Sequence, residues 1–170
     1  MGSILSKKEV AALINSKPPL LEDYLNLAVQ LQPGGFDCSL KDVARLDSAG
    51  VIPTTNQGRV IAETSPLAFD RDGFLNLSPG CYIITLNEVV NIPKDITALA
   101  FPRSSLLRCG VTVNSAVWDA GYSGRSRALM TVQNPLGFHI QQNARLIQMV
   151  FFRMDSATEG YNGIYQGENI

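Results

Sequence analysis

The amino-acid sequence predicts an all-β fold built from short antiparallel strands. From residue 41 onward, short segments rich in alternating apolar residues are separated by turn sequences that contain glycine, proline, asparagine and aspartate. Strands do not alternate with long helical segments, and no glycine-rich phosphate loop of either common type occurs. A sandwich or barrel is therefore expected. The 170 residues, 45% of them hydrophobic, are enough for one domain that spans residues 1–170.

The N-terminal segment, residues 1–31, is expected to be helical at its start. Ser6 followed by Glu9 is a capping-box pattern, and the apolar residues that follow have helical spacing. Lys17-Pro18-Pro19 should end this helix. Residues 20–31 are compatible with a second short helix or with a strand, and the sequence leaves that choice open.

Candidate strands occupy most of the remaining chain. Phe36, Cys38 and Leu40 alternate after a glycine pair, as on a strand. The further candidates are residues 42–47, 58–63, 67–70, 81–86, 96–101, 110–114, 126–133 and 145–153. His139 alternates with apolar neighbours, which favours a structural strand histidine over a catalytic base. Residues 155–170 are polar and glycine-rich, which predicts a flexible C-terminal tail.

The composition excludes several classes of function. The net charge is −1 and no long basic run occurs, so binding to polymeric nucleic acid is not expected. One histidine and no C-x-x-C pair argue against a zinc enzyme. No apolar run approaches a membrane span, so no membrane partner is expected. The three widely spaced cysteines do not form a disulfide framework, which favours a reducing, cytoplasmic setting.

Residues 101–154 contain six arginines, no lysine and a single acid, Asp119. This excess of positive charge suits a small polyanion such as a nucleoside triphosphate. Arg103-Ser104-Ser105 offers a guanidinium and two hydroxyls to phosphate oxygens, and a short helix over residues 104–108 would add backbone amides. The alternative is a surface helix with solvated arginines.

Two aspartates have competing interpretations. Asp119 is a candidate to orient a water molecule, although an aspartate in the turn Asp119–Tyr122 can also bind its own backbone. Asp37 is equally compatible with a turn carboxylate that accepts neighbouring amides and with a role near an active site.

Taken together, four segments resemble the dUTPase / dCTP deaminase superfamily, and its deaminase-like branch in particular. They are PRSSLLRCGV, NSAVWDAGYSG, ARLIQMVFF and YNGIYQG, in the family's order; FDCSL and the opening ILSKKEV are also similar. The resemblance implies a distorted jelly-roll, also called a β-clip. It also implies a homotrimer in which neighbouring subunits share active sites.

The resemblance further implies roles for individual residues. Asp119 would hold the attacking water or the sugar 3′-hydroxyl, and Tyr122 would pack on the deoxyribose. The implied phosphate-binding residues are Arg103, Ser104, Ser105, Arg108 and Gln148. Asn114 and Ser115 would lie on a hairpin whose backbone contacts the pyrimidine, and Tyr161, Tyr165 and Gln166 would belong to a tail that closes over the triphosphate. Arg145 is assigned to phosphate or interface contacts, whereas Arg125, Arg127 and Arg153 are expected to be solvated or structural.

The family carries out two reactions, and one position favours hydrolysis. Deaminases of this type place a glutamate three residues before an asparagine, on the strand after the Asp119 turn. Here that position is Thr131, and threonine cannot shuttle protons near neutral pH. The expected function is therefore a dUTP diphosphatase that forms dUMP and pyrophosphate. Mg²⁺ would be held mainly by the substrate phosphates, with Asp37 as a water-mediated ligand; a dCTP deaminase or a bifunctional enzyme is the alternative.

Overall fold

The structure is a computed structural model that describes residues 3–170. The first two residues of the predicted N-terminal segment lie outside this range. Helices are α1 (Lys7–Ile14), α2 (Leu27–Gln30) and α3 (Ser104–Arg108). Strands are β1 (Ser3–Ile4), β2 (Leu21–Glu22), β3 (Leu31–Gln32), β4 (Gly35–Leu46), β5 (Thr64–Pro66), β6 (Phe74–Leu77), β7 (Gly80–Asn91), β8 (Ile96–Pro102), β9 (Val111–Asn114), β10 (Ser123–Val132), β11 (Phe138–Gln141) and β12 (Arg145–Arg153). None of the helices within residues 3–170 is long and apolar enough to cross a membrane.

The all-β prediction is confirmed, and the N-terminal helix begins where the capping box places it. Ser6 accepts a hydrogen bond from the Glu9 amide, and the Glu9 carboxylate accepts one from the Ser6 amide at 2.9 Å. The backbone amides of Ser6 and Glu9, which have no partner within the helix, are thereby hydrogen-bonded. Residues 20–31 contain both structures that the sequence left open, because α2 lies between the two-residue strands β2 and β3.

Strand β4 connects the two halves of the curled antiparallel sheet. Its first part, residues 36–39, pairs with β12, and its second part, residues 40–45, pairs with β7. The register shifts between Leu40 and Asp42, where the strand passes from one partner to the other. Strand β12 also pairs with β8, and β10 lies between β7 and β9. Strand β12 thus lies between β4, which carries Asp37, and β8, which leads to Arg103.

One hydrophobic core lies between the two halves. Phe36 and Phe151 from the β4–β12 half and Ile84 and Met130 from the β7–β10 half are fully buried in the same cluster. The nearly continuous run of apolar residues from Leu146 to Phe152 predicts that the last strand, β12, is buried on both faces. The structure places Leu146, Ile147, Met149 and Phe151 in the core, whereas the residues between them are partly exposed.

Some strand boundaries differ from the prediction. Residues 36–40 and 42–47 form one long strand rather than two. The predicted strands 58–63 and 67–70 are wrong: the first contains only a single bridge, between Val51 and Val60, and the short strand β5 lies between them. Val60 and Ile61 are about half exposed, so their apolar character does not report a buried strand. Strand β11 contains His139, whose ring centroid lies 4.8 Å from that of Phe74, as expected for a structural histidine.

Candidate active site

The turn that carries Asp119 is fixed from both sides. Trp118 exchanges two backbone hydrogen bonds of 3.0 Å with Ala98 on β8. The amide of Tyr122 then donates to the Asp119 carbonyl at 3.1 Å and closes a turn in which Gly121 has a φ of 82°. A positive φ at the third turn position favours glycine because an L side chain would be strained there. The position of Asp119 is therefore set by its neighbours.

The Asp119 carboxylate is exposed and accepts no hydrogen bond from any residue within 3–170. The alternative of a turn aspartate that binds its own backbone is therefore not supported. A carboxylate held by a rigid turn but without a partner is available to bind and orient a water molecule.

Asp119 lines a cleft of about 270 Å³. The cleft is lined by Ala116, Val117, Trp118, Asp119, Tyr122, Ser126, Arg127, Tyr161, Tyr165 and Glu168. Four of the predicted site residues are thus brought together, namely Asp119, Tyr122 and the tail residues Tyr161 and Tyr165. Asn114 and Ser115 directly precede the cleft residues on the chain, at the end of β9.

Tyr122 forms the inner wall of this cleft. Its side chain is 6% exposed, and its ring meets that of Tyr161 edge to face with centroids 5.7 Å apart. Burial raises the pKa of the Tyr122 hydroxyl well above its ordinary value, and the Glu168 carboxylate adds to this effect, so the phenol stays protonated and donates. A flat, buried aromatic wall is suited to the apolar face of a sugar.

The C-terminal tail packs against the same chain. The Tyr161 amide donates to the Ala120 carbonyl at 2.7 Å, and Gln166 bonds both the Ser123 amide and the Gly121 carbonyl at 3.0 Å. The tail thereby covers the Asp119 turn. Its predicted flexibility is a statement about motion and stays a prediction.

A second group of predicted residues surrounds Asp37 on β4. Oδ2 of Asp37 lies 3.1 Å from Nε of Arg103 and 3.1 Å from Nη1 of Arg145. Gln148 is the cross-strand partner of Asp37 on β12. Asp37 is 3% exposed and lies within a strand, so the alternative of a turn carboxylate is wrong.

The electrostatics of Asp37 result from opposing effects. Burial raises the pKa of its carboxyl above the ordinary value, and the charges of Arg103 and Arg145 oppose that rise. Arg103 uses its Nε for this contact, and its terminal nitrogens donate no hydrogen bond within residues 3–170. Asp37 therefore orients a guanidinium whose outer edge remains available for an anion.

Helix α3 presents the rest of the predicted phosphate motif. Arg103 precedes the helix as its N-cap residue, and its side chain forms no capping hydrogen bond. Ser104, Ser105 and Arg108 are exposed, whereas Leu106 is buried and holds the helix on the domain. The short helix predicted over residues 104–108 is confirmed.

The two groups do not share a cleft within this chain. Arg103, Ser105 and Arg145 line a separate groove of about 470 Å³, and none of them lines the cleft of Asp119. Within residues 3–170 of one chain, the candidate water-orienting carboxylate and the candidate phosphate-binding arginine therefore lie in different clefts.

Several residues of the Asp119 cleft were not predicted. Arg127, which was expected to be solvated or structural, is exposed and lines the cleft, as do Trp118 and Ser126. Glu168 also lines the cleft, so Asp119, the single acid of residues 101–154, is joined there by a second acid from the tail. The tail delivers this second carboxylate from 49 residues further along the chain. No local sequence signal links the two acids, because their proximity depends on how the tail folds back.

Arg125 and Arg153 have the structural roles that were expected. Arg125 lies 2.6 Å from the carboxylate of Asp23, and Arg153 lies 2.6 Å from that of Asp95. Within residues 3–170, no cluster of three or more His, Cys, Asp or Glu side chains has the geometry of a metal site. Asp37 is the carboxylate that contacts both Arg103 and Arg145 within this range.

Comparison with known proteins places these features in a family. A family described as dCTP deaminase-like matches residues 4–154. The chain is 44% identical to a protein named probable deoxyuridine 5′-triphosphate nucleotidohydrolase from Methanococcoides burtonii, over 99% of both chains. It is 47% identical to a protein of the same name from Archaeoglobus fulgidus, over 99% of this chain and 98% of the relative.

The fold is also found among solved structures. The crystal structure of 2′-deoxycytidine 5′-triphosphate deaminase from Agrobacterium tumefaciens superposes with a TM-score of 0.68 at 24% identity, over 89% of this chain. The match covers 48% of that longer chain. The family match over residues 4–154 includes Asp37, Arg103 and Asp119, and the chain belongs to the dCTP deaminase-like family.

Proposed function

We propose that this protein is a hydrolase that converts dUTP to dUMP and pyrophosphate. The curated relatives that share 44% and 47% identity carry the name of this activity. The observation that carries the proposal is the Asp119 carboxylate, which is exposed, accepts no hydrogen bond from residues 3–170 and lies in a cleft beside the buried ring of Tyr122.

In this proposal Asp119 orients the attacking water, and Tyr122 packs on the deoxyribose. An ionised carboxylate accepts a hydrogen bond from the water and directs its lone pair at the scissile phosphorus. Arg103, with Ser104 and Ser105, stabilises the negative charge that develops on the phosphate oxygens. Arg108 and Gln148 are proposed to contact the same phosphates, Tyr165 and Gln166 to help the tail close over them, and Asn114 and Ser115 to contact the base.

Mg²⁺ is proposed to arrive with the triphosphate. When bound, it would neutralise phosphate charge. The protein's part is to receive this complex, and the arginines held by Asp37 supply the charge complementarity for it. A water-mediated contact from Asp37 to the cation stays a prediction.

A homotrimer with shared sites is proposed because the two groups lie in different clefts of one chain. A neighbouring copy would place its Arg103 beside the Asp119 of this one. The exposed apolar residues Phe101 on β8 and Leu107 on α3, 58% and 55% exposed, flank Arg103 and would be covered by such an arrangement. A cytoplasmic location is also proposed, in keeping with three free cysteines.

Subunit mixing tests the shared site. Asp119→Asn and Arg103→Ala homo-oligomers are each expected to be inactive. Mixed oligomers should regain pyrophosphate release, because some sites then combine an intact Asp119 with an intact Arg103 from the other variant. Continued inactivity, with mixing verified by mass spectrometry, would contradict a site shared between copies.

Replacing Asp119 by asparagine tests the catalytic assignment. We expect kcat for pyrophosphate release to fall by a factor on the order of 10²–10⁴, since an amide cannot accept a proton from the water. Binding of a non-hydrolysable dUTP analogue should change little. The control is Asp42→Asn, which alters an exposed aspartate on β4. Retained turnover in Asp119→Asn would remove Asp119 from its proposed role.

The deaminase alternative is tested with dCTP. Thr131, which replaces the deaminase glutamate, does not line the Asp119 cleft, and its hydroxyl lies 3.8 Å from the Cys81 sulfur on β7. Glu168 does line the cleft and is the one acid besides Asp119 in its described lining. We expect no ammonia from dCTP; ammonia release that is lost in Glu168→Gln would establish a deaminase that uses the tail carboxylate.

A further inference from the structure

Four side chains form a continuous hydrogen-bonded chain behind the Asp119 cleft. Nε1 of Trp118 donates to Oγ of Ser126 at 2.7 Å, Oγ of Ser126 lies 3.0 Å from Oη of Tyr122, and that hydroxyl donates to Oε1 of Glu168 at 2.9 Å. Trp118, Ser126 and Tyr122 are each at most 6% exposed. The first three members come from the body of the domain and the last from the tail.

The direction of this chain follows from the number of protons. The indole of Trp118 can only donate, and the hydroxyl of Tyr122 has a single proton, which it gives to Glu168. Ser126 must therefore donate its own proton to Tyr122. Every donor points towards Glu168, and an ionised carboxylate is the acceptor that suits the end of such a chain.

The backbone at this point is shaped to admit Glu168. Gly124 forms a parallel bridge with Glu168, and the amide of Arg125 donates to the Glu168 carbonyl at 2.9 Å. A Cβ on Gly124 would lie 2.6 Å from Oη of Tyr122 and 3.2 Å from Cγ of Glu168. The absence of a side chain at position 124 is thus what allows the tyrosine and the tail carboxylate to meet.

We propose that Glu168 is a positioning residue that anchors the tail over the Asp119 cleft and fixes the orientation of Tyr122. It acts through Ser126 and Tyr122 on the wall that receives the nucleoside. This inference rests on the proposed function for the identity of the substrate. It assigns to Glu168 a role in substrate affinity and in selection of the sugar, rather than in the bond-breaking step.

The consequence is a specific kinetic pattern. In Glu168→Ala, Tyr122 loses its acceptor and the tail loses its side-chain anchor, so we expect KM for dUTP to rise about tenfold, the effect of one charge-assisted hydrogen bond. The value of kcat should stay within about twofold, because Asp119 is held by the separate backbone contacts to β8. The preference for dUTP over UTP should fall, since a loosened Tyr122 no longer closes the space beside the sugar 2′ carbon.

The test compares Glu168→Ala with Glu168→Gln and Asn162→Ala. Glutamine can still accept from Tyr122, so its KM should remain within about threefold of the wild-type value. Asn162 is an exposed tail residue that is not among the residues lining either cleft, and its variant controls for general changes in the tail. Equal KM values for Glu168→Ala and wild type, or a large fall in kcat with KM unchanged, would overturn the proposal.

Two further measurements do not depend on catalysis. Trp118 is the single tryptophan of the chain, so its fluorescence reports directly on the first hydrogen bond of the series. Glu168→Ala should shift that emission and speed cleavage of the tail by a protease, whereas Glu168→Gln and Asn162→Ala should not. If the wild-type protein fails to release pyrophosphate but these changes occur, the proposed function is wrong and the anchor stands; if neither readout changes, the anchor is wrong.

Discussion

Replacing Asp37 by asparagine removes the negative charge shared by Arg103 and Arg145 while keeping the size of the side chain. We expect this change to leave the free energy of unfolding nearly unchanged and to raise KM for the substrate. The carboxylate is 3% exposed, whereas the two arginine side chains are 32% and 30% exposed. Solvent therefore weakens the attraction between the charges, whereas the buried carboxylate keeps most of the energetic cost of its desolvation.

The direction of the pKa shift gives the sign of the stability effect. Burial is the largest influence on Asp37 and raises its pKa, so the ionised form is less favourable in the folded protein than in the unfolded chain. Each partly exposed arginine returns roughly 1 kcal/mol. Asp37→Asn should consequently change the free energy of unfolding by no more than about 1 kcal/mol, in contrast to the loss of about 3–5 kcal/mol that is usual when a buried ion pair is broken.

The effect on substrate should be larger. Without Asp37, Arg103 must be immobilised when the triphosphate binds, and fixing a free arginine costs about 1.5–2 kcal/mol. This corresponds to a rise of at least tenfold in KM for dUTP. Urea denaturation and steady-state pyrophosphate release would measure the two quantities, with Asp42→Asn on the same strand as the control. A loss of several kcal/mol in stability, or an unchanged KM, would refute this account of Asp37.

Three further predictions concern other parts of the fold. Burial raises the pKa of Glu88, so lowering the pH from 7 through that raised value should increase the free energy of unfolding of the wild-type protein relative to Glu88→Gln, and the increase should be complete below pH 4.5. Urea unfolding at several pH values measures this difference. If the two proteins show the same pH dependence, the prediction is incorrect. Gly121→Ala should lower the free energy of unfolding by about 1–3 kcal/mol and should also lower activity. The reason is that φ is 82° and that the new Cβ would lie 2.8 Å from Cα of Gly160 and 3.0 Å from the Tyr161 amide nitrogen. An unaffected melting temperature would contradict this prediction. The Cys38 thiol is buried and its pKa is raised, so it should react with a thiol reagent only after unfolding, and rapid labelling of Cys38 in the native protein, located by peptide mapping, would disagree with the core described here.

The buried network around Glu88 explains why its substitution should matter. Glu88 is fully buried and accepts hydrogen bonds from the amide and hydroxyl of Ser39 and from Nε2 of Gln30, at 2.6–2.9 Å. These hydrogen bonds join β7 to β4 at Ser39, which lies two residues after Asp37. In sequence, Glu88 lies beyond the predicted strand 81–86 and carries no signal of burial, because its partners come from segments 49 and 58 residues away.

The sequence by itself determined the features that depend on local chemistry. The capping box at Ser6, the turn at Asp119 with its glycine and the short helix at Ser104 all follow from neighbouring residues, and each is present in the structure. The family was also evident from short segments, because their residues and their order are retained. The strand over residues 58–63 failed because apolar residues there are exposed, and alternation alone cannot distinguish a buried face from a solvated one.

The tertiary structure alone decided which charged groups meet. Asp37 was one carboxylate among several until the pairing of β4 with β12 set it against Arg145 and Arg103. Nothing in the sequence around Glu168 indicated a role, and its carboxylate reaches the hydrogen-bonded series that begins at Trp118 because the tail folds back. The physical reason is the same in both cases: ion pairs and hydrogen bonds act over about 3 Å in space, and nothing in the local sequence encodes contacts between residues 46 or more positions apart.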